Sequence, residues 1–337
     1  MFKKDFERAF VAKKLEKYRG SQVFDWVFKK SVNDFSEMNN LPLDLRGKLS
    51  DAFTLDKLEI LTKSRSEDGT SKYLLELSDG NKIECVYLPY EDRKSICVST
   101  QVGCSVGCSF CASGDMGFER NLTSSEIVNQ ILTVQNDTKE KITHVVFMGI
   151  GEPLLNVDNV SYAIKLINQN LEISQRRITV STVGIIRGIK KLADMNLDIT
   201  LALSLHGITQ DERAKIIPMA KLNLLDDLLD SCDYYFNKTK RRITFEYLLI
   251  DNLNSSPYHG NQLARIARKH KAHVNVIPYN VIDGKCFKRP NKKTIDNFCK
   301  VLSERNITFT QRLEKGSNEQ SACGQLRINT LNDSKTF

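Results

Sequence analysis

Residues 95–111, SICVSTQVGCSVGCSFC, join a short apolar β-branched run, SICVST, to a loop that carries Cys104, Cys108 and Cys111 in C-x3-C-x2-C spacing. The run has the length and residue types of a buried strand, and the loop after it brings three thiols together within eight residues. Downstream, strand-like and helix-like stretches alternate. A helix from Thr123, THVVFMG, a helix through Ala163, RRITVST, a helix through Ile189 and DITLALSL are followed by a helix around Leu225, RRITFEYLLI, a helix around Ala264 and AHVNVIPY. That makes six strand-helix repeats, with ITFTQRL near Ile307 as an additional strand. Near-continuous apolar strands separated by helices predict an α/β fold with a parallel sheet covered on both faces, either doubly wound or an incomplete β/α barrel. Thr123 and Glu126 have the spacing of a capping box that would start the helix after the cysteine loop.

Upstream the pattern differs. Residues 1–60 show helical spacing, as in Phe6, Phe10, Leu15, Val23, Trp26 and Val27, and predict a small helical N-terminal domain. Residues 61–92 contain KYLLELSDG and KIECVYL joined at Ser78-Asp79-Gly80, which reads as a β-hairpin linker. Residues 93–315 form the repeating core, and 316–337 a C-terminal segment. The chain has 337 residues, 41% hydrophobic and 27% charged, which excludes general disorder and a disulfide-stapled mini-protein. The N-terminal MFKKDFERAFVAKK lacks an apolar secretory core, and no segment is long enough to span a membrane, so a cytoplasmic location is expected. In a reducing compartment, nine cysteines point to metal or redox chemistry.

Net charge is +8, and between Lys238 and Lys293 thirteen Lys or Arg face three acids. Such an excess suits either a polyanionic partner or a solvated basic face. The thiol spacing is equally specific about its ligand. Three closely spaced thiolates can hold three irons of a 4Fe-4S cube and leave the fourth open, whereas structural zinc takes four protein ligands, and no fourth Cys or His is close in sequence. After the second strand comes Gly149-Ile-Gly151-Glu152-Pro153, in which the glycines allow close backbone approach and the carboxylate can take an ammonium group.

This order of features resembles the radical S-adenosylmethionine superfamily. There the open iron is chelated by the amino and carboxylate groups of S-adenosylmethionine, and one electron cleaves the sulfonium to a 5'-deoxyadenosyl radical. CSFCASGDMGFERNLTSSEI, FMGIGEPLLN, STVGII, SLH and ACGQL, together with YRGSQVFDWVFKK and MNNLPLDLR near the start, resemble the RlmN and Cfr family of radical-SAM RNA adenosine methyltransferases across nearly the whole chain. The resemblance implies an incomplete (β/α)6 barrel, with the helical N-terminal domain as an RNA-binding accessory. It implies a 4Fe-4S cluster on Cys104, Cys108 and Cys111 and two S-adenosylmethionine molecules per turnover.

On the same resemblance, Cys323 carries a methyl group, and Cys97 resolves the covalent RNA adduct through a transient disulfide with it. Glu84 matches a proton acceptor, and Gly151, Glu152, Ser181, Ser204, Leu205, His206 and Asn280 match S-adenosylmethionine contacts. Adenine C2 lies between two ring nitrogens and is too electron-poor to attack a sulfonium, which is why the family routes the methyl through a cysteine. The implied substrates are an adenosine of 23S rRNA and, in some members, the tRNA anticodon loop, with a low-potential donor such as flavodoxin or ferredoxin. Gly151 to Asn156, GEPLLN, favours the RlmN type and C2, while ASGDMG is somewhat closer to the Cfr type and C8. A non-catalytic RNA-binding protein with an Fe-S or zinc site is the reading from another class. Two departures from the family pattern are SNEQS ahead of ACGQL, where Asp-Ile-Asp is common, and Val281 after Asn280, where proline is usual.

Overall fold

The computed structural model describes residues 1–32, 34–55, 58–312 and 324–326. Three helices come first, α1 (Lys3–Ala12), α2 (Lys17–Lys29) and α3 (Leu43–Ala52). One apolar face of these helices closes a small core of Phe10, Val23, Trp26, Met38, Leu45 and Leu49. Phe24 and Phe28 on α2 belong instead to the main core. Gly20 lets the first two helices touch, because a Cβ there would lie 2.8 Å from the Phe6 carbonyl oxygen.

Strands β1 (Glu59–Arg65), β2 (Ser71–Glu76), β3 (Lys82–Pro89) and β4 (Lys94–Cys97) pair antiparallel in chain order. The hairpin around Ser78-Asp79-Gly80 is present, but it is an integral part of the main sheet, because β4 pairs on its other edge with the first strand of the parallel array. Sequence patterning passes over β1, since EILTKSR has no apolar alternation and none of its residues is fully buried.

A two-stranded ribbon, β5 (Gln101–Gly103) and β6 (Phe118–Asn121), brackets the cysteine loop. The alternating part then runs α4 (Ser124–Thr138), β7 (His144–Phe147), α5 (Val157–Asn170), β8 (Ile178–Thr182), α6 (Ile186–Asp194) and β9 (Thr200–Ser204). It continues with α7 (Gln210–Ile216), α8 (Leu225–Thr239), β10 (Thr244–Leu249), α9 (Pro257–Lys269), β11 (His273–Pro278), α10 (Lys292–Glu304) and β12 (Phe309–Gln311). The helix α7, only seven residues long, has too few turns to show a period and is absent from the sequence reading.

The sheet order is β1-β2-β3-β4-β7-β8-β9-β10-β11-β12, with every pair from β4 to β12 parallel. Among the described residues β12 does not pair with β4, so the array is an open, incomplete barrel. Val145, Val180, Leu201, Phe245 and Val274 on its strands are all fully buried, as expected of a parallel sheet covered by helices. The Thr123 capping box forms, with Thr123 Oγ1 accepting from the Glu126 N–H at 3.2 Å and Glu126 Oε2 accepting from the Thr123 N–H at 2.7 Å. Among the described residues no helix is long and apolar enough to cross a membrane.

Candidate active site

At the carboxyl ends of the parallel strands lies a cavity of about 940 Å3, its open mouth included, with Cys104, Cys108 and Cys111 on one wall. Open α/β sheets and barrels place ligands at this end. The loop between β5 and β6 is held by close backbone contacts. The Cys104 N–H donates to the Gly117 carbonyl at 2.6 Å, and Gly103 has φ 73°, where a Cβ would sit 2.0 Å from that same oxygen. Cys108 is buried against Val106, Ile216, Ile217 and Ala220, and the Ser109 N–H donates to the Ile216 carbonyl at 3.0 Å.

Burial pushes the Cys104 and Cys108 thiols above their ordinary pKa, and for Cys108 the neighbouring Cys111 and Cys104 add to the effect. Backbone N–H groups of Val106, Gly107 and Gly151 act on Cys104 in the opposite direction, favouring a thiolate sulfur. Among the described residues no three Cys, His, Asp or Glu side chains converge on a point that would hold a single metal ion. Three thiols on one cavity wall suit a polynuclear cluster, in which each sulfur takes its own iron.

Across the cavity, Gly149 and Gly151 bring backbone close to the cysteine loop. A Cβ on Gly149 would lie 2.7 Å from the Val98 carbonyl, and Gly151 has φ 104° with room for none beside Gln101. Glu152 is buried, and its carboxylate accepts from the Leu154 and Val183 N–H groups, each at 2.9 Å. Burial nevertheless pushes its pKa up to about 7, so a cationic ligand beside it would fix the ionised form.

Ser181, Ser204 and His206 also line the cavity. His206 has φ 56° and accepts from the Leu248 N–H through Nδ1 at 3.1 Å. Burial, with Arg213 nearby, pushes its pKa down to about 3, so the ring is neutral with its proton on Nε2. The ring stands edge-on to Phe110 of the cysteine loop at 4.9 Å. Of the other residues expected here, Leu205 is fully buried in the main core, and Asn280 is buried next to Tyr279, whose side chain lines the cavity.

The structure adds residues that motif reading does not reach. Glu246 is 3% exposed, lines the cavity, and accepts from Asn275 Nδ2 at 2.8 Å through Oε1, while among the described residues Oε2 has no partner. The hydroxyl of Tyr279 lacks a partner among the described residues too, and burial pushes its pKa up to about 12. Two orphaned polar atoms on the wall mark the cavity as the seat of a polar ligand. Glu246 leaves one sequence signal, a lone carboxylate inside the apolar strand RRITFEYLLI, whereas Tyr279 and Arg312, also on the wall, leave none.

Cys97 is not among the residues that line this cavity. Cys97 ends β4 opposite Val86 and packs with Val86, Leu88, Ile150 and Leu326. Glu84, two residues before Val86, shares that face and pairs with Lys72 at 3.3 Å. Cys323 lies outside the described residues. The segment that follows it is docked on the cysteine loop and on the end of the barrel. The Gly324 carbonyl accepts from the Ala112 N–H at 2.8 Å, the Leu326 carbonyl accepts from Ser113 Oγ at 2.7 Å, and Gln325 Nε2 donates to the Val281 carbonyl at 3.0 Å. Gly324 itself lines the cavity.

Part of the basic excess is spent internally, since Lys238 pairs with Asp194, Arg241 with Asp198 and Lys285 with Asp115. Lys288, Lys292 and Lys293 are exposed, beside Phe287, which packs next to the cysteine loop.

Comparison with known proteins agrees with this geometry. The Radical SAM superfamily profile matches residues 98–258, and that of the ribosomal RNA large subunit methyltransferase N-terminal domain matches residues 1–55. The chain is 44% identical to a protein of Microcystis aeruginosa named probable dual-specificity RNA methyltransferase RlmN, over 93% of each chain. A protein of the same name from Clostridium botulinum is 45% identical, over 95% of this chain and 92% of that one. The structure of a radical SAM methyltransferase from Sphaerobacter thermophilus superposes with a TM-score of 0.92 at 37% identity, covering 97% of this chain and 98% of that one.

Proposed function

This chain belongs to the RlmN family of radical S-adenosylmethionine RNA methyltransferases, and from that premise we propose that it methylates C2 of an adenosine in 23S rRNA, and in the tRNA anticodon loop, through a methylated Cys323. Its cofactors are a 4Fe-4S cluster and S-adenosylmethionine. Bound together, they supply a one-electron cleavage of the sulfonium and hence a carbon-centred radical.

The chain's own residues divide the remaining work. Cys104, Cys108 and Cys111 hold the cluster. Gly151 and Glu152 take the methionine end of S-adenosylmethionine, with the Glu152 carboxylate answering its ammonium group. Ser181, Ser204, neutral His206 and Asn280 orient the rest, and Leu205 supports them from the core. Cys323 accepts a methyl group and presents it to the base, which must be unstacked to be reached. Glu84 accepts the proton lost from the ring, with the odd electron of the adduct given back to the one-electron source. The Cys97 thiolate then attacks the Cys323 sulfur and breaks its bond to the methylene carbon. That carbon leaves with the electron pair and takes a proton to become the methyl group, while the two sulfurs remain as a disulfide. The observation that carries this reading is the docking of Gly324 to Leu326. It ties the chain next to Cys323 both to the cavity wall and, through Leu326, to the Cys97 face.

Mass spectrometry of ribosomal and transfer RNA from cells lacking and re-expressing the enzyme tests the reading. Restored 2-methyladenosine in both RNAs is expected. A methyl group at C8 would assign the Cfr-type reaction instead, and an unmodified RNA pool would refute the activity.

A further inference from the structure

Arg213 is a buried cation that no described carboxylate answers. It sits on α7 with 0% exposure. Its Nε donates to the Leu205 carbonyl at 2.9 Å, and its Nη2 donates to the carbonyls of Val183 at 2.9 Å and Ser204 at 3.2 Å. Nη1 has no partner. The thiols of Cys232 and Cys108 bear on it, its charge acts in turn on the buried neutral His206, and α7 carries the Ile216 surface on which Cys108 rests.

A guanidinium stripped of water is costly unless an anion compensates it, and carbonyl dipoles do so only in part. Neutral thiols do less. If Cys108 is a cluster ligand, however, the compensating charge is supplied on loading. Three thiolates on a 4Fe-4S core of charge 2+ carry a net negative charge, and one electron from a low-potential reductant makes it one unit more negative. A fixed positive charge behind Cys108 favours that second state, and the low dielectric of the site strengthens the effect.

We propose that Arg213 is the internal counter-charge of the cluster, a positioning residue that raises its reduction potential while its fork ties that charge to the strand ends carrying Val183, Ser204 and Leu205. This rests on the assignment of Cys104, Cys108 and Cys111 as cluster ligands. A merely structural fork would be disturbed by replacement with lysine as much as by a neutral residue, and it would leave the potential alone.

Reconstituted full-length wild type, Arg213→Lys, Arg213→Met and Cys232→Asp are compared by redox titration, with cluster absorbance and spin resonance as readouts. In Arg213→Met the ratio of reduced to oxidised cluster at a fixed potential should fall at least tenfold, about 59 mV for a one-electron couple. Arg213→Lys should stay within about threefold of wild type. Cys232→Asp keeps the fork but gives Arg213 a buried carboxylate, so it should shift in the same direction as Arg213→Met, with Cys232→Ser unchanged as its control. Cys232→Asp decides the matter if Arg213→Met does not fold. A cluster-loaded Arg213→Met or Cys232→Asp that titrates within twofold of wild type would overturn the proposal, whereas a wild type that binds no cluster would instead overturn the ligand assignment.

Discussion

Cys97 ends β4 and the cysteine loop follows directly after β5, yet the surroundings of the two are built differently. Cys104, Cys108 and Cys111 sit on one short loop whose shape is set by its own backbone and by the β5–β6 ribbon. Cys97 is surrounded by Val86 and Leu88 from β3, Ile150 from the glycine turn and Leu326 from far along the chain. The first three sulfurs share a single loop, pinned from outside at Ser109 by Ile216 and at Ala112 by Gly324, whereas the walls around Cys97 come from separate stretches of chain. The difference suits their proposed tasks, since a cluster takes its three ligands from one loop whereas Cys97 has to meet a sulfur carried far along the chain.

That contrast is open to attack from several sides, and the cluster loop offers the largest effect. Cys104→Ala, Cys108→Ala or Cys111→Ala should each abolish the iron-sulfur absorbance and lower RNA methylation at least ~1000-fold, with RNA binding retained. Retained cluster absorbance in any of the three would break the local half of the comparison. The next largest effect separates the two remaining sulfurs. Cys323→Ala should stop methylation with the cluster intact, and Cys97→Ala should lower turnover ~100-fold or more and trap protein on RNA through Cys323. Denaturing gels and peptide mapping read this directly, and normal turnover in Cys97→Ala would falsify its role.

A smaller effect concerns the basic segment near the cavity. Replacing Lys288, Lys292 and Lys293 together by glutamate should weaken RNA binding roughly tenfold or more and flatten its salt dependence. Turnover at saturating RNA should hold. Unchanged affinity and salt slope would make this segment a solvated face.

The smallest effect is one of pH. The folded pKa of Glu152 is raised from 4.5 to about 7 by burial, so between those values the native state holds more protons than the unfolded one. Stability of the cluster-free protein should therefore fall as pH rises through that window and level off above it. A decline of a few degrees in melting temperature is expected, and Glu152→Gln should remove it. A profile in the variant as steep as in wild type would assign the decline to other groups.

How far the chain could be read from its letters follows the same divide. The alternation of apolar strands and helices and the C-x3-C-x2-C loop are short-range patterns, and they are legible. Gly151 and Glu152 follow because a glycine turn after a strand leaves a signature. β1 and α7 escape notice, the first through its polar composition and the second through its length. Arg213 escapes too. In QDERAKII it looks like any charged residue of a surface helix, and only the fold turns it inward beneath Ser204 and Cys108. Lys238, Arg241 and Lys285 show the reverse, since they read as unpaired surface charge until the acids facing them are in place.

The proposed route takes the methyl group by way of Cys323, where it loses a hydrogen. It is tested most directly with S-adenosylmethionine carrying a fully deuterated methyl group, given to wild-type enzyme whose Cys323 has first been charged from the same reagent. The account predicts an adenosine methyl that retains two deuterons, with the third recovered in 5'-deoxyadenosine. Three deuterons on the adenosine and none in 5'-deoxyadenosine would mean direct transfer to the base and would contradict it.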